Sequence, residues 1–304
     1  DFYIRKALVE EVKRDENQLV TSIGRLDYDY LVLAHGATNA FFGSEKMQRY
    51  SKGMKSIGEA LELRNSLLLN FENAVAAVNS EEQERLLHIV IIGGGPSGVE
   101  IAGALAEMKE FVIYKDYPEL KGKTVEIYLL EGSDRLLGTM TPKSSQKARE
   151  FLENMGVKVL TGTFATDCDD KSVTTSRGEV IKTGLIIWTA GITGNRLKGF
   201  SEDQTGKGGR FIVDRYSRIK GCWNIFAIGD IALMTEEKYP SGHPQVAQVA
   251  IQQAKHLAEN LKRISEKKAL SEFSYRDLGS MATIGKHLAV VELPRFRFQG
   301  AFAW

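Results

Sequence analysis

Cysteine is almost absent from this chain: Cys168 and Cys222 are the only two in 304 residues. They form no C-x-x-C, which excludes a thioredoxin-like redox motif and a cysteine metal cluster and fits a reducing compartment. The five histidines, at positions 35, 88, 243, 256 and 287, show no ligand spacing, so no metal site is expected. Neither sign of charge dominates; 40 Lys and Arg against 39 Asp and Glu leave a net charge of +1. That balance leaves no electrostatic footprint for nucleic acid and no general attraction to an anionic membrane. No apolar run approaches the ~20 residues of a spanning helix, and the first residues have no signal-peptide pattern. Low-complexity tracts and short repeats are also lacking. What remains is ordinary for a globular protein, with 43% hydrophobic and 26% charged residues, in a chain long enough for two domains.

The most informative stretch is Leu87-His88-Ile89-Val90-Ile91-Ile92-Gly93-Gly94-Gly95-Pro96-Ser97-Gly98-Val99-Glu100. Its apolar run reads as a strand buried on both faces, and a helical pattern follows the G-x-G-x-x-G. In that setting Gly93 turns out of the strand, Gly95 lets the backbone approach a pyrophosphate, and Gly98 lets helix pack on strand. The helix N-terminus then faces the phosphates. A glycine turn in any α/β protein is the plainer alternative. The next strand, Val125 to Glu131, ends in an acid, where a dinucleotide fold binds ribose hydroxyls. Glu131 lies further from the glycines than the usual ~20 residues, and the polar insertion Lys109 to Lys123 accounts for the excess. Despite Arg135 nearby, Glu131 favours NAD over NADP.

Elsewhere the pattern predicts strand from Tyr3 to Val12 and at Leu19 to Thr21, with a charged turn between. Tyr28 to Thr38 reads as a buried strand ending in a small-residue turn containing Ala34, His35 and Gly36. Residues 57–78 read as a helix leading to the glycines, and 144–155 as another. Short strands follow, at 157–160, 172–175 and 179–181. A second buried strand, Leu185 to Gly191, ends in a similar small turn. Trp223 to Ala232 carries Gly229-Asp230 at a strand end, bringing a carboxylate to a ligand rim or serving only as a helix cap. Residues 246–262 form a helix with an expected core stripe at Val246, Val249, Ala250, Ala254, Leu257 and Leu261. Gln248 and Gln252 fall roughly opposite that stripe. Met281 to Glu292 reads as a hairpin before an aromatic run ending at Trp304.

With those residues in view, the chain resembles the type II NADH dehydrogenases, flavin enzymes of the glutathione-reductase-like superfamily that reduce membrane quinone. Ala34-His35-Gly36 resembles the turn linking the flavin and nicotinamide domains, and Gly93 to Gly103 the NADH glycine motif with its glutamate, Glu100. Gly229-Asp230 resembles the motif whose aspartate binds the flavin's ribityl–phosphate region. Ala247-Gln248-Val249-Ala250-Ile251-Gln252 fits the A-Q-x-A-x-Q quinone signature. The resemblance implies an α/β fold: a Rossmann-like NAD-binding domain inserted in a partial FAD-binding domain, with a β-hairpin C-terminal segment. The expected division is 1–56 and 190–264 for the FAD-binding domain, 57–189 for the NAD(H)-binding domain, and 265–304 for the C-terminal segment.

It implies FAD and NAD as cofactors, no metal, and NADH and membrane quinone as partners. Glu100, Gln248 and Gln252 are the expected catalytic residues. Gly93, Gly95, Gly98, Glu131, Ala34, Gly36, Gly191, Gly229, Asp230 and Lys286 are the expected cofactor-binding residues, Lys286 lying near the flavin. Two departures stand out. The superfamily's first strand and first glycine loop, which bind the ADP half of FAD, have no counterpart here, and the family's amphipathic membrane helices would begin where the sequence stops. The expectation is therefore a chain truncated at both ends and poor in flavin. The whole enzyme would lie peripherally on the cytoplasmic face of the inner membrane, with a homodimer among its allowed assemblies. The rival functions are a pyridine nucleotide-disulfide reductase of the same fold and a non-catalytic NAD-binding module.

Overall fold

The computed structural model describes residues 2–304. The chain forms two compact units. One takes the chain up to Thr38 and again over Ile192–Asp277; the other takes Asn39–Gly191 and Leu278–Trp304.

The second unit is built on a four-stranded parallel sheet in the order Leu185–Trp188, His88–Ile92, Glu126–Glu131, Val157–Thr161. Ile89, Val90, Ile91 and Ile92 are all buried, as an unbroken apolar run demands when both faces of a parallel sheet are covered. Helices Ile57–Ala76, Pro96–Met108 and Pro142–Asn154 supply Leu67, Phe71, Val99, Ala102, Ala148 and Leu152 to the same core. The first of these helices is started by a capping box, Ser56 with Glu59, which satisfies two orphan N–H groups. A short helix not foreseen from the sequence, Ser80–Leu87, leads into the glycine strand.

This division differs from the one expected at 56/57 and 264/265. Residues 39–56 join the second unit because Lys52 exchanges backbone hydrogen bonds with Ile186 and Trp188, each 2.8 Å, and Met47 packs among Val90, Ile92 and Leu130. The C-terminal stretch joins it too. Strands Ser280–Ile284, Leu288–Glu292 and Arg297–Gly300 form one antiparallel sheet, so the expected hairpin gains a third strand from the aromatic run. Ala282, Ile284 and Val290 enter the core of the second unit. Gly103 makes this possible, since a Cβ there would lie 2.6 Å from the Gly285 nitrogen.

The first unit contains an antiparallel sheet, Val9–Lys13, Gln18–Thr21 and Gly24–Asp27, and two parallel pairs. Leu31–Leu33 pairs with Ile225–Ala227, and Phe211–Val213 with Ala232–Met234. The strand expected from Tyr3 begins only at Val9. Leu31–Leu33 is not buried on both faces as expected: Leu33 is buried but Val32, on the other face, is 37% exposed. The long helix is Ala247–Ser265, and its buried residues are Val249, Gln253, Leu257 and Asn260. The expected stripe is therefore corrected. Val246 is exposed, and two amides occupy core positions that an apolar criterion passes over.

Candidate functional site

In the second unit the glycine turn leaves the carboxyl end of His88–Ile92, and Glu131 ends the adjacent strand. This is where open α/β sheets bind ligands. Gly93 has φ +111°, a conformation costly for other residues. At Gly98 a Cβ would fall well inside contact distance of the Gly93 carbonyl oxygen and 2.9 Å from Thr189 Oγ1. A Cβ at Gly95 would meet nothing within 4 Å. Gly98 therefore serves packing, whereas the space at Gly95 is available to a ligand. Those surroundings fit the pyrophosphate of a dinucleotide: an open backbone at the N-cap of a helix with Pro in its first turn and no side chain capping it.

Glu131 is half-buried, and its carboxylate is already organised. Oε2 accepts from the Gly94 N–H at 2.6 Å, and Oε1 from the Ser133 N–H and hydroxyl at 2.7 Å each. Oε2, with one bond, retains acceptor capacity for a ribose hydroxyl. Gly94 is a site residue that motif reading missed, since a Cβ there would lie 2.9 Å from Glu131 Cβ. The signal was its place between the two motif glycines. Arg135 donates to the Gly138 carbonyl instead.

Glu100 is exposed on the same helix and lines a cleft of about 330 Å³ together with Glu107, Met108, Phe111 and Lys286. The structure thus brings together two expected site residues far apart in sequence, Glu100 and Lys286. The turn carrying Lys286 is tied down by Glu107, whose Oε1 accepts the Lys286 backbone N–H at 2.6 Å. Gly191 ends this unit's long central segment beside Phe42, whose ring a Cβ at Gly191 would meet at 2.7 Å.

In the first unit Leu31–Leu33 and Ile225–Ala227 run parallel, and the Ile228 N–H bonds the Leu33 carbonyl at 3.0 Å. The turns after them, Ala34 to Gly36 and Gly229-Asp230, therefore stand at one carboxyl edge. Gly229 has φ +71°, and its N–H donates to Gln253 Oε1 at 2.7 Å. The Asp230 carbonyl accepts from Gln245 Nε2 at 2.9 Å. Arg210 is buried nearby and donates to the carbonyls of His243 and Ser241 at 3.0 and 3.1 Å; burial depresses its pKa, opposed by the charge of Asp230. A carboxylate and a buried cation at this strand-end rim fit the ribityl–phosphate portion of a flavin.

Gln248 and Gln252 are both partly buried. Gln252 pairs with the backbone of Arg276, donating to its carbonyl at 2.9 Å and accepting its N–H at 3.0 Å. Gln245 and Gln253, which the motif does not include, bond the backbone of the Gly229-Asp230 turn.

A family model for pyridine nucleotide-disulphide oxidoreductases matches residues 2–254. The chain belongs to that family. Among curated pyridine nucleotide-disulphide oxidoreductase relatives, the type II NADH:quinone oxidoreductase Ndh of Mycobacterium tuberculosis is 34% identical over 292 residues, which is 91% of this chain and 61% of that protein. The probable NADH dehydrogenase of Dictyostelium discoideum is 31% identical over 279 residues, 90% of this chain and 61% of that protein. The chain thus spans about 61% of the length of these relatives. In fold it matches NDH2 from Plasmodium falciparum in complex with NADH, with a TM-score of 0.89 at 22% identity, covering 98% of this chain and 77% of that one. No helix among the described residues is long and apolar enough to cross a membrane.

Proposed function

We propose that this chain is the greater part of an NADH:quinone oxidoreductase that takes a hydride from NADH and passes two electrons to a membrane quinone through FAD. The observation that carries the reading is the second unit's open Gly95 backbone beside the pre-organised Glu131 carboxylate, in a chain whose relatives are named NADH:quinone oxidoreductases. FAD, when bound, supplies the chemistry that accepts a hydride and releases electrons in turn. The chain's own residues do the rest. Gly93, Gly95 and Gly98 shape the pyrophosphate site. Glu131 accepts the ribose hydroxyls and would repel a 2′-phosphate. Glu100 is repelled by a pyrophosphate at the helix start and serves the nicotinamide end. In the first unit Ala34, Gly36, Gly229 and Asp230 hold the flavin and Gln248 and Gln252 orient the quinone head group; in the second unit Gly191 and Lys286 are cofactor-binding residues. Oxidation of NADH to NAD⁺ with uptake of one proton balances reduction of the quinone to quinol.

Peripheral attachment at the cytoplasmic face of the inner membrane, and a homodimer, belong to the same reading. Steady-state oxidation of NADH in the presence of a soluble quinone tests it. Quinone-dependent turnover that prefers NADH over NADPH is expected; turnover independent of quinone contradicts it. Cys168 does not supply the nucleophile that the disulfide-reductase alternative needs, being 3% exposed. Burial, then the Asp167 and Asp169 carboxylates, pushes its thiol up to about 11, so it offers no thiolate nucleophile near neutrality.

A further inference from the structure

The Glu131 carboxylate is held unequally at its two oxygens. Oε2 accepts one bond, from the Gly94 N–H at 2.6 Å, whereas Oε1 accepts both the N–H and the hydroxyl of Ser133 at 2.7 Å. Ser133 is exposed, yet its hydroxyl turns back onto the acid two residues before it. That hydroxyl has one proton and two acceptors in reach, Glu131 Oε1 at 2.7 Å and the Arg135 carbonyl at 2.9 Å. The charged and nearer acceptor takes it. The backbone under both residues is fixed from the end of the neighbouring strand. The Gly162 N–H donates to the Ser133 carbonyl at 2.6 Å and the Thr163 N–H to the Glu131 carbonyl at 2.9 Å. The hydroxyl is therefore placed by the fold before any ligand arrives. With Oε1 doubly bonded, Oε2 is the oxygen left for a ribose hydroxyl.

We propose that Ser133 is a positioning residue for cofactor choice: its hydroxyl locks the Glu131 carboxylate, which then presents Oε2 to the adenosine ribose and does not swing aside for a 2′-phosphate. This rests on the reading of Glu131 as the ribose ligand. A carboxylate held in advance lowers the ordering cost of binding NADH. It also keeps a negative charge where the extra phosphate of NADPH would sit, which a mobile side chain would not.

The test is titration of the full chain with NADH and with NADPH, read by quenching of protein fluorescence, for the parent, Ser133→Ala, Glu131→Ala and the double variant, with thermal melts in parallel. Ser133→Ala keeps the N–H bond to Oε1 and removes only the hydroxyl. It is expected to bind NADH about threefold more weakly and to narrow the preference for NADH about fivefold, as loss of one exposed hydrogen bond to a charge allows. Its melting temperature should match the parent's, because the atom removed is on the surface. On the Glu131→Ala background the same truncation should leave both affinities within about twofold, since a residue that acts through Glu131 has nothing left to hold. A parental preference in Ser133→Ala overturns the proposal. So does an equal effect of the truncation with and without Glu131, the mark of a merely structural serine. A parent with equal affinities for the two cofactors overturns the ribose reading of Glu131 itself, an outcome distinct from a parent that discriminates and a Ser133→Ala variant that matches it.

Discussion

Two glycines of one motif should fail in opposite ways. Gly98→Ala would drive a methyl into the Gly93 carbonyl and to 2.9 Å from Thr189 Oγ1. Overpacking costs about 1–3 kcal/mol, and the upper end applies because the main obstacle is backbone on a buried strand end. At roughly 2–4 °C per kcal/mol for a domain of this size, the second unit should melt about 6–12 °C lower. Gly95→Ala meets nothing within 4 Å and sits at φ −70°, which alanine adopts freely. Its stability should stay within about 0.5 kcal/mol of the parent. The methyl instead fills the space reserved for the pyrophosphate. Loss of one charge-assisted bond, about 1.5–3 kcal/mol, weakens NADH by about 10- to 150-fold. Calorimetric melts and NADH titration by fluorescence decide the matter. A Gly95→Ala protein that binds NADH like the parent, or a Gly98→Ala protein that melts with it, would refute the division of roles.

Glu131→Ala should narrow or abolish the preference for NADH over NADPH in equilibrium binding; equal affinities in the parent would contradict the ribose assignment. Glu292 caps helix Pro142–Asn154 from the C-terminal sheet, accepting the Thr141 N–H at 3.0 Å and the Ser144 hydroxyl at 2.6 Å. Burial works against its charge, but these bonds outweigh it and hold the carboxyl below its ordinary value. A depressed folded pKa gives stability that is present above the unfolded value and lost as pH falls through the folded one. The urea midpoint of Glu292→Gln should therefore fall below the parent's at pH 7, and the gap should shrink as the pH drops below about 4. A gap independent of pH would show that the charge contributes nothing.

The second unit was the more legible half, for a physical reason. Strands covered on both faces, such as Ile89 to Ile92, announce themselves as unbroken apolar runs, and the glycine spacing after them follows from steric limits on one turn. Strands with one face open gave weaker signals: Val32 sits in an apolar run yet is 37% exposed. In helix Ala247–Ser265 the period was readable but the residue types misled, because Gln253 and Asn260 are buried by virtue of bonds to Gly229 and Ser271 that no local pattern encodes. The same applies to the site. Gly95, Gly98 and Glu131 could be proposed from position, whereas the bond from Gly94 to Glu131 and the tie of Glu107 to Lys286 join residues distant in sequence. The boundary at 56/57 failed similarly, since the Lys52 backbone pairing with Ile186 leaves no mark in composition.

The central claim is that electrons enter from NADH on one set of residues and leave to quinone on another. Anaerobic stopped-flow of the flavin-loaded holoprotein reads the two half-reactions separately, first mixing with NADH and then mixing the reduced enzyme with a soluble quinone. In Gln252→Leu, bleaching of the flavin band by NADH should proceed at near the parental rate, while its return on adding quinone should slow markedly. Equal slowing of both phases would mean that Gln252 serves only to clamp the Arg276 backbone, and a parental rate in both would remove it from the quinone site altogether.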